Sequence, residues 1–151
     1  IVTAASDNHY EVLKLFLLPS IVENTDAAHT TTIVYDLGLT LPVSEELRTA
    51  FPDVVYRRFN YSAYPPFFNV SLRAGEYAWK PAIVHEVVDE FRGTIVLWLD
   101  AGDMVTGDLT LTPLLAHIAS NGVWSPTSSG TVRDWTHPAT MACLNLSMMV
   151  Y

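Results

Sequence analysis

Residues 95–103, Ile-Val-Leu-Trp-Leu-Asp-Ala-Gly-Asp, are the stretch that decides the fold of this chain. The apolar run predicts a β-strand over residues 94–99 that is covered on both faces, as strands of parallel sheets are. Two acids, Asp100 and Asp103, follow the strand directly. Ligands bind at the carboxyl ends of the strands in such sheets, so these acids are the first candidates for a functional site.

Strands and helices alternate along the rest of the chain. Apolar or β-branched runs predict strands, and apolar residues at helical spacing predict helices. The predicted strands cover residues 1–5, 31–35 and 53–59, with a short one at 123–124. The predicted helices run from an N-cap at Asn8 to near Pro19, from Ser44, and over residues 75–91, 113–120 and 138–146. This order predicts an α/β domain with a mainly parallel, Rossmann-like sheet and helices on both faces.

The composition limits the classes of function. At 151 residues and 50% hydrophobic, the chain predicts one compact domain over residues 1–151. Its formal net charge of −8, with 8 Lys and Arg in all, excludes a nucleic-acid partner, which needs a basic surface. No apolar run in the sequence is long enough for a membrane span. Such an acidic chain must hold a phosphorylated ligand locally, through a metal ion, backbone amides or one well-placed lysine.

Three Asn-x-Ser sequons are present, at Asn60, Asn69 and Asn145. Such triplets arise by chance in a chain rich in Ser and Thr, and they also mark N-glycosylation in secreted proteins. The second interpretation predicts a domain in the lumen of the secretory pathway, such as the Golgi, or outside the cell. The chain opens on a strand-like segment without an initiator Met, so we expect a domain cut from a longer protein.

The acids at the end of residues 94–99 indicate a metal ion. Two carboxylates at the mouth of a buried strand are costly to leave unpaired. Mg²⁺ or Mn²⁺ is one solution, because it binds one or two carboxylates and completes its coordination with phosphates and water. The ion would act as a Lewis acid and stabilise the charge on a leaving diphosphate. The alternative is that Asp100 caps a turn while Asp103 faces solvent.

Four further residues are candidates for ligand binding. Lys80 lies in an apolar and aromatic setting, where its ammonium either binds a phosphate as a point charge or is simply exposed at a helix start. Asp7 and Asn8 follow the first strand and Asp36 follows the second, so all three lie at the predicted ligand edge of the sheet. Asn8 is also explained as a helix cap, and Asp36 as the start of the Leu-Gly turn after it.

Several motifs resemble those of nucleotide-diphospho-sugar transferases with the GT-A fold. An apolar strand ending in Leu-Asp and a second acid is similar to the Asp-x-Asp element that holds a metal ion and the sugar nucleotide in that superfamily. The first ten residues resemble the strand and loop of glycogenin-like members that hold the base and ribose. Four more motifs resemble a eukaryotic group of such domains: Tyr-Asp-Leu-Gly-Leu at 35–39, Tyr-Ala-Trp-Lys-Pro at 77–81, Trp-Leu-Asp-Ala-Gly-Asp at 98–103 and Trp-Thr-His-Pro at 135–138.

The resemblance implies the N-terminal, donor-binding half of a glycosyltransferase. Such an enzyme moves a sugar from a nucleotide diphosphate, most often UDP, to a glycan, protein or lipid acceptor. The base and ribose would lie near Asp7, Asn8 and Asp36, and Lys80 would face the nucleotide. Enzymes of the glycogenin type take a further metal-binding His and much of the acceptor site from later sequence, so we expect this chain to be inactive in isolation.

One position departs from the pattern. Gly102 stands where Asp-x-Asp has its second acid, and Asp103 comes one residue later. Mn²⁺ or Mg²⁺ would therefore be held by Asp100, and by Asp103 only if a turn at Gly102 brings it round. The alternative function is a non-catalytic member of the same fold, which keeps the pocket without the metal.

Overall fold

A parallel sheet forms the centre of the molecule. The structure is a computed structural model that describes residues 1–108, 113–126, 129–131, 134, 136 and 138–143. Its strands are β1 (Val2–Ala5), β2 (Ile33–Asp36) and β3 (Val55–Arg58), hydrogen-bonded in the order β1-β2-β3. Val2 lies beside Ile33, and Ile33 beside Val55. The carboxyl ends of the strands therefore meet at one edge of the sheet.

Helices connect and cover the strands. The first helix, α1, has three consecutive parts: Tyr10–Val12, a π-helical turn at Leu13–Leu17, and Leu18–Asn24. The later helices in the described part of the chain are α2 (Leu41–Ala50), α3 (Trp79–Glu90), α4 (Pro113–Asn121) and α5 (Pro138–Cys143). Among the described helices, none combines the length and the apolar character that crossing a membrane requires.

Each face of the sheet packs against different helices. Successive side chains of a strand point to opposite faces, so Ala5 packs with Leu13 and Leu47 from α1 and α2. Residues of the opposite face pack against α3, in a cluster formed by Val2, Ala4, Ile33, Tyr35, Trp79, Ile83 and Val87. The sequence prediction of an α/β fold with a parallel sheet and helices on both faces is therefore confirmed.

The strand predicted at residues 94–99 is largely absent. The backbone N–H of Val2 donates to the carbonyl oxygen of Leu97 at 2.8 Å, and that of Leu99 donates to Val2 at 3.1 Å. Trp98 thus forms a single parallel bridge to β1. The prediction that both faces are covered is wrong, because the segment lies at the outer edge of the sheet, where Ile95 is 38% exposed.

Two boundaries of α1 differ from the prediction. Asn8 does not cap the helix, because the chain first makes a 3₁₀ turn at Asp7–His9 and the Asn8 side-chain oxygen accepts from the Ser6 hydroxyl at 2.5 Å. The helix also continues past Pro19 to Asn24. Proline lacks an N–H and crowds the carbonyl four residues earlier, and here the helix has a wider π-helical turn, Leu13–Leu17, just before it.

The helix predicted over residues 75–91 begins later, at Trp79. The preceding turn, Arg73–Tyr77, has φ between +48° and +65°, which is left-handed and ends any right-handed helix. Gly75 suits this turn, because a Cβ there would lie 2.3 Å from the Phe68 carbonyl oxygen. The remaining helix starts agree within a few residues, with α2 beginning at Leu41 instead of Ser44.

The C-terminal predictions have mixed outcomes. No strand forms at residues 123–124, where Val123 is 74% and Trp124 48% exposed. The predicted helix over residues 138–146 is described only as far as Cys143. Residues 135, 137 and 145, which carry part of the Trp-Thr-His-Pro motif and the third sequon, lie outside the described residues.

Candidate functional site

An open cleft of about 760 Å³ lies at the carboxyl ends of β1 and β2. Four segments line it: residues 4–9, 37–38, 70–80 and 100–102. We call this site the cleft. It brings together Asp7, Asn8, Lys80 and Asp100, which the sequence analysis selected from three distant parts of the chain. The rule that ligands bind at the carboxyl ends of parallel strands selected Asp7, Asn8 and Asp100, whereas Lys80 was selected for its apolar and aromatic setting.

An ion pair between Lys80 and Asp100 lies in the cleft. The Lys80 Nζ donates to Asp100 Oδ1 at 2.6 Å, and the Trp98 Nε1 donates to the same oxygen at 2.6 Å. The ammonium also lies 5.3 Å from the centroid of the Trp98 ring and 5.9 Å from that of Trp79. These distances allow cation–π attraction, which further holds the lysine in place.

The local charges set the ionisation of Asp100. Partial burial raises the pKa of this carboxyl, but the hydrogen bonds from Lys80 and Trp98 and the charges of Lys80 and His9 lower it. The net result is a pKa below the ordinary value of an aspartic acid. Asp100 is therefore ionised at neutral pH, and its second oxygen, Oδ2, accepts no hydrogen bond from the described residues.

Asp103 has a different environment from Asp100. Its Oδ2 accepts from the backbone N–H of Asp100 at 2.8 Å, while its own N–H donates to the Asp100 carbonyl at 2.9 Å. The turn at Gly102 does form, but it aims Asp103 at the backbone of Asp100, and Asp103 is not among the residues that line the cleft. Within the described part of the chain, no three His, Cys, Asp or Glu residues are grouped so as to hold a metal ion.

The loop after β1 contributes four polar residues to the cleft, Ser6, Asp7, Asn8 and His9. Asp7 Oδ1 accepts from the backbone N–H of Thr40 at 2.8 Å, which ties this loop to the start of α2. Asn8 Oδ1 is 2.9 Å from His9 Nδ1. The sequence analysis did not select His9, yet it lines the cleft and its charge acts on Asp100. Its position directly after a strand was the signal that could have found it.

Asp36 is the last residue of β2 and does not line the cleft. Its buried carboxylate accepts from the backbone N–H groups of Gly38 and Leu39, at 2.7 and 2.6 Å. Arg58 donates to its second oxygen at 3.3 Å. Of the two interpretations of Asp36, the geometry matches turn formation, and ligand binding has no support in these contacts.

Aromatic side chains form one wall of the cleft. Trp79 and the 63% exposed Tyr77 come from the start of α3 and the left-handed turn before it. The Trp79 Nε1 donates to the Ala74 carbonyl at 2.9 Å and so fastens this turn to the helix. Sequence reasoning did not place residues 70–77 at the cleft, because their approach depends on the folding of an irregular loop.

Both sequons in the described region lie on the loop between β3 and α3. Asn60 is exposed and Asn69 is half-buried. In each, the asparagine side-chain oxygen accepts from the backbone N–H of the serine two residues later, Ser62 or Ser71. The modification of these asparagines stays a prediction.

Comparison with known proteins gives one match. A family model described as "Protein of unknown function (DUF1647)" matches residues 1–85, which is more than half of the chain. The matched segment includes β1, β2, β3 and Lys80 but ends before Asp100. No curated protein and no solved structure matches the chain.

Proposed function

We propose that this chain, a member of the DUF1647 family, binds a nucleotide-diphosphate sugar as the donor-binding part of a glycosyltransferase. The proposal is drawn from the chemistry of its cleft. The observation that carries this proposal is the Lys80–Asp100 pair between indole rings at the carboxyl ends of the strands. It offers one cation and one carboxylate in a cleft of suitable size for a nucleotide sugar.

Each part of such a ligand has a chemical counterpart in the cleft. The Lys80 ammonium suits the diphosphate, because a lysine binds phosphate as a point charge. The Oδ2 of Asp100, which accepts no hydrogen bond within the described part of the chain, and the carboxylate of Asp7 can accept hydrogen bonds from sugar or ribose hydroxyls. The exposed face of Tyr77 suits a base or sugar ring. Asn8 has a side-chain amide that can contact the base or ribose.

The remaining expectations from the resemblance stay predictions. They are a UDP-sugar donor, a glycan, protein or lipid acceptor, and a location in the lumen of the secretory pathway or outside the cell. A Mn²⁺ or Mg²⁺ ion is also implied, and Asp100 could offer it one free oxygen. Asp103 does not complete a two-carboxylate site, because it binds the Asp100 amide.

A titration of the chain with nucleotides tests the proposal. We expect calorimetry to show binding of UDP or GDP that is tighter than binding of the matching monophosphate, because the second phosphate reaches Lys80. Asp100→Asn should weaken binding about tenfold, as expected for a lost charge-assisted hydrogen bond of roughly 1.4 kcal/mol. Asp89→Asn is the matched control, since Asp89 pairs with Arg92 and does not line the cleft.

The proposal fails if the folded chain binds neither nucleoside diphosphate at millimolar concentration. It also fails if Asp89→Asn weakens binding as much as Asp100→Asn does, because the loss would then not come from a contact in the cleft.

A non-catalytic binding module is the second candidate function. It is favoured by Asp103, whose carboxylate supports the backbone of Asp100 and does not point into the cleft. The two candidates differ in turnover. A transferase should release UDP from a UDP-sugar when the acceptor-binding half of the enzyme is present, whereas a binding module should hold the intact UDP-sugar without consuming it.

A further inference from the structure

We propose that the cleft binds its diphosphate without a divalent cation, and that the Lys80 ammonium supplies the positive charge in its place. This inference rests on the proposed function, because it concerns how the same cleft holds the same ligand. It departs from what the resemblance implies, which is a metal ion on Asp100 and Asp103.

Asp100 is already bonded to a cation of the protein. Its Oδ1 already accepts two hydrogen bonds at 2.6 Å, from the Lys80 ammonium and the Trp98 indole N–H. A divalent ion on the remaining oxygen would lie close to the ammonium, and the two positive charges would repel each other in this partly buried setting. Asp100 thus has its charge neutralised by a side chain of the protein.

A divalent ion would need further ligands besides Asp100. Mg²⁺ requires near-ideal octahedral coordination and is usually held by one or two carboxylates plus phosphate and water. Asp103 is not among the residues that line the cleft, so its carboxylate offers an ion there no ligand oxygen. Its Oδ2 is bound to the Asp100 amide instead. In the part of the chain that the structure describes, no group of three potential ligands exists. Of the two acids that the resemblance implies as ligands, Asp100 is bonded to an ammonium and Asp103 to a backbone amide, and this pair is a poor fit to a divalent ion.

Lys80 keeps hydrogens that can bind the diphosphate. An ammonium has three hydrogens, and one of them is bound to Asp100. The Lys80 side chain is 32% exposed, so the other hydrogens are accessible from the cleft. The indole rings of Trp79 and Trp98 hold the ammonium in position.

Lys80 is the one Lys or Arg among the described residues that line the cleft. Lys14, by contrast, forms an ion pair with Glu46 elsewhere on the molecule. A chain with a net charge of −8 thus places a cation where an anionic ligand would lie.

The experiment measures UDP affinity in EDTA and again in Mn²⁺. We expect the two dissociation constants to agree within about twofold, a difference too small to reflect a lost coordination bond. Lys80→Met, which keeps the length but removes the charge, should weaken UDP binding at least about tenfold in both solutions. Lys80→Arg should restore most of the affinity, because a guanidinium also binds phosphate.

Lys14→Met is the matched control, and its UDP affinity should equal that of the wild type. Circular dichroism and thermal unfolding establish that each variant is folded. Electron paramagnetic resonance of Mn²⁺ gives an independent readout. Adding the protein to Mn²⁺ and UDP should change the spectrum no further than UDP alone does.

The possible failures are distinguishable. If EDTA abolishes UDP binding and Mn²⁺ restores it, the metal-free inference is overturned while the proposed function stands. If Lys80→Met binds UDP as tightly as the wild type, the inference is overturned as well, because the charge of Lys80 is then not used. If no nucleoside diphosphate binds in either solution, both the inference and the proposed function fail.

Discussion

The two ends of the sheet are built from the same elements but differ in chemistry. At the carboxyl ends of the strands, the cleft has Asp7, Lys80 and Asp100. At the amino ends lies a second depression of about 310 Å³, which we call the groove, lined mainly by apolar residues such as Ile33, Phe91 and Ile95. The helix α3 contributes to both, with Lys80 in the cleft and Phe91, just after its last turn, in the groove.

The difference follows from the direction of the strands. In a parallel sheet every strand leaves its last residue at the same end, so the loops that begin there bring their polar side chains together. The groove lies beside the starts of β1 and β2, where the backbone nitrogen of Ile1 donates to the Thr31 carbonyl at 2.8 Å. Strand direction therefore separates the end with ligand-binding chemistry from an end that is apolar.

Removing the packing that both ends share should have the largest effect. Ile83 lies in the middle of α3, is fully buried, and packs against β1 and β2. We expect Ile83→Ala to lower the free energy of unfolding by about 2–5 kcal/mol, since it leaves a cavity in the core. Urea denaturation measures this loss. Val88→Ala on the exposed side of the same helix should cost within about 0.5 kcal/mol; equal losses would mean that α3 does not pack as described.

Asp36 tests whether a residue at the carboxyl edge must be a ligand. Asp36→Ala leaves the N–H groups of Gly38 and Leu39 without their acceptor, so we expect a loss of about 1–3 kcal/mol in unfolding free energy. Asp36→Asn keeps one acceptor oxygen and should lose less. In the folded fraction, UDP affinity should change less than in Asp100→Asn. If Asp36→Ala changes the free energy of UDP binding more than the free energy of unfolding, Asp36 contacts the ligand after all.

Asp36 also shows what the sequence alone could predict. Its position after a β-branched run was enough to place it at the correct edge of the sheet, as it was for Asp7 and Asp100. Periodicity and strand direction determine such placements, because they depend on residues close in sequence. Whether the carboxylate then faces the ligand depends on which neighbouring amides it meets, and both the ligand and the turn interpretations fit the sequence.

Long-range contacts explain the remaining differences. Residues 94–99 have the composition of a buried strand, but whether they are covered depends on what packs outside them. His9 was not selected, because the sequence does not show that Asp100 folds to lie near it. The left-handed turn Arg73–Tyr77 contains four non-glycine residues with positive φ, which local propensity disfavours.

Tyr35, on β2 between the two ends, should give a smaller and pH-dependent effect. Burial raises the pKa of its phenol to about 12, with a lowering contribution from Arg57 and a raising one from Glu86. Because the folded state favours the neutral phenol, the stability it provides is present below pH 10 and is lost as the pH rises towards 12.

Tyr35→Phe should therefore lose about 0.5–1.5 kcal/mol at neutral pH, from its hydrogen bond to Glu86, and less of its stability at alkaline pH. Urea denaturation at a series of alkaline pH values, with absorbance at 295 nm to follow phenol ionisation, measures this. Tyr77→Phe is the control, since Tyr77 is 63% exposed. If wild type and Tyr35→Phe have parallel alkaline profiles, the phenol of Tyr35 is not buried in the folded state.

The groove should give the smallest effect on stability. Ile95 lines it and is 38% exposed, so we expect Ile95→Ser to change the unfolding free energy by no more than about 0.5 kcal/mol. Binding of a hydrophobic fluorescent dye should decrease, because the groove is an exposed apolar surface. The matched control is Val123→Ser, which removes an apolar side chain that is 74% exposed outside the groove. UDP affinity should be unchanged in both variants. If Ile95→Ser weakens UDP binding, the two ends of the sheet are coupled through the segment that joins Ile95 to Asp100, and the cleft cannot be treated as independent of the groove.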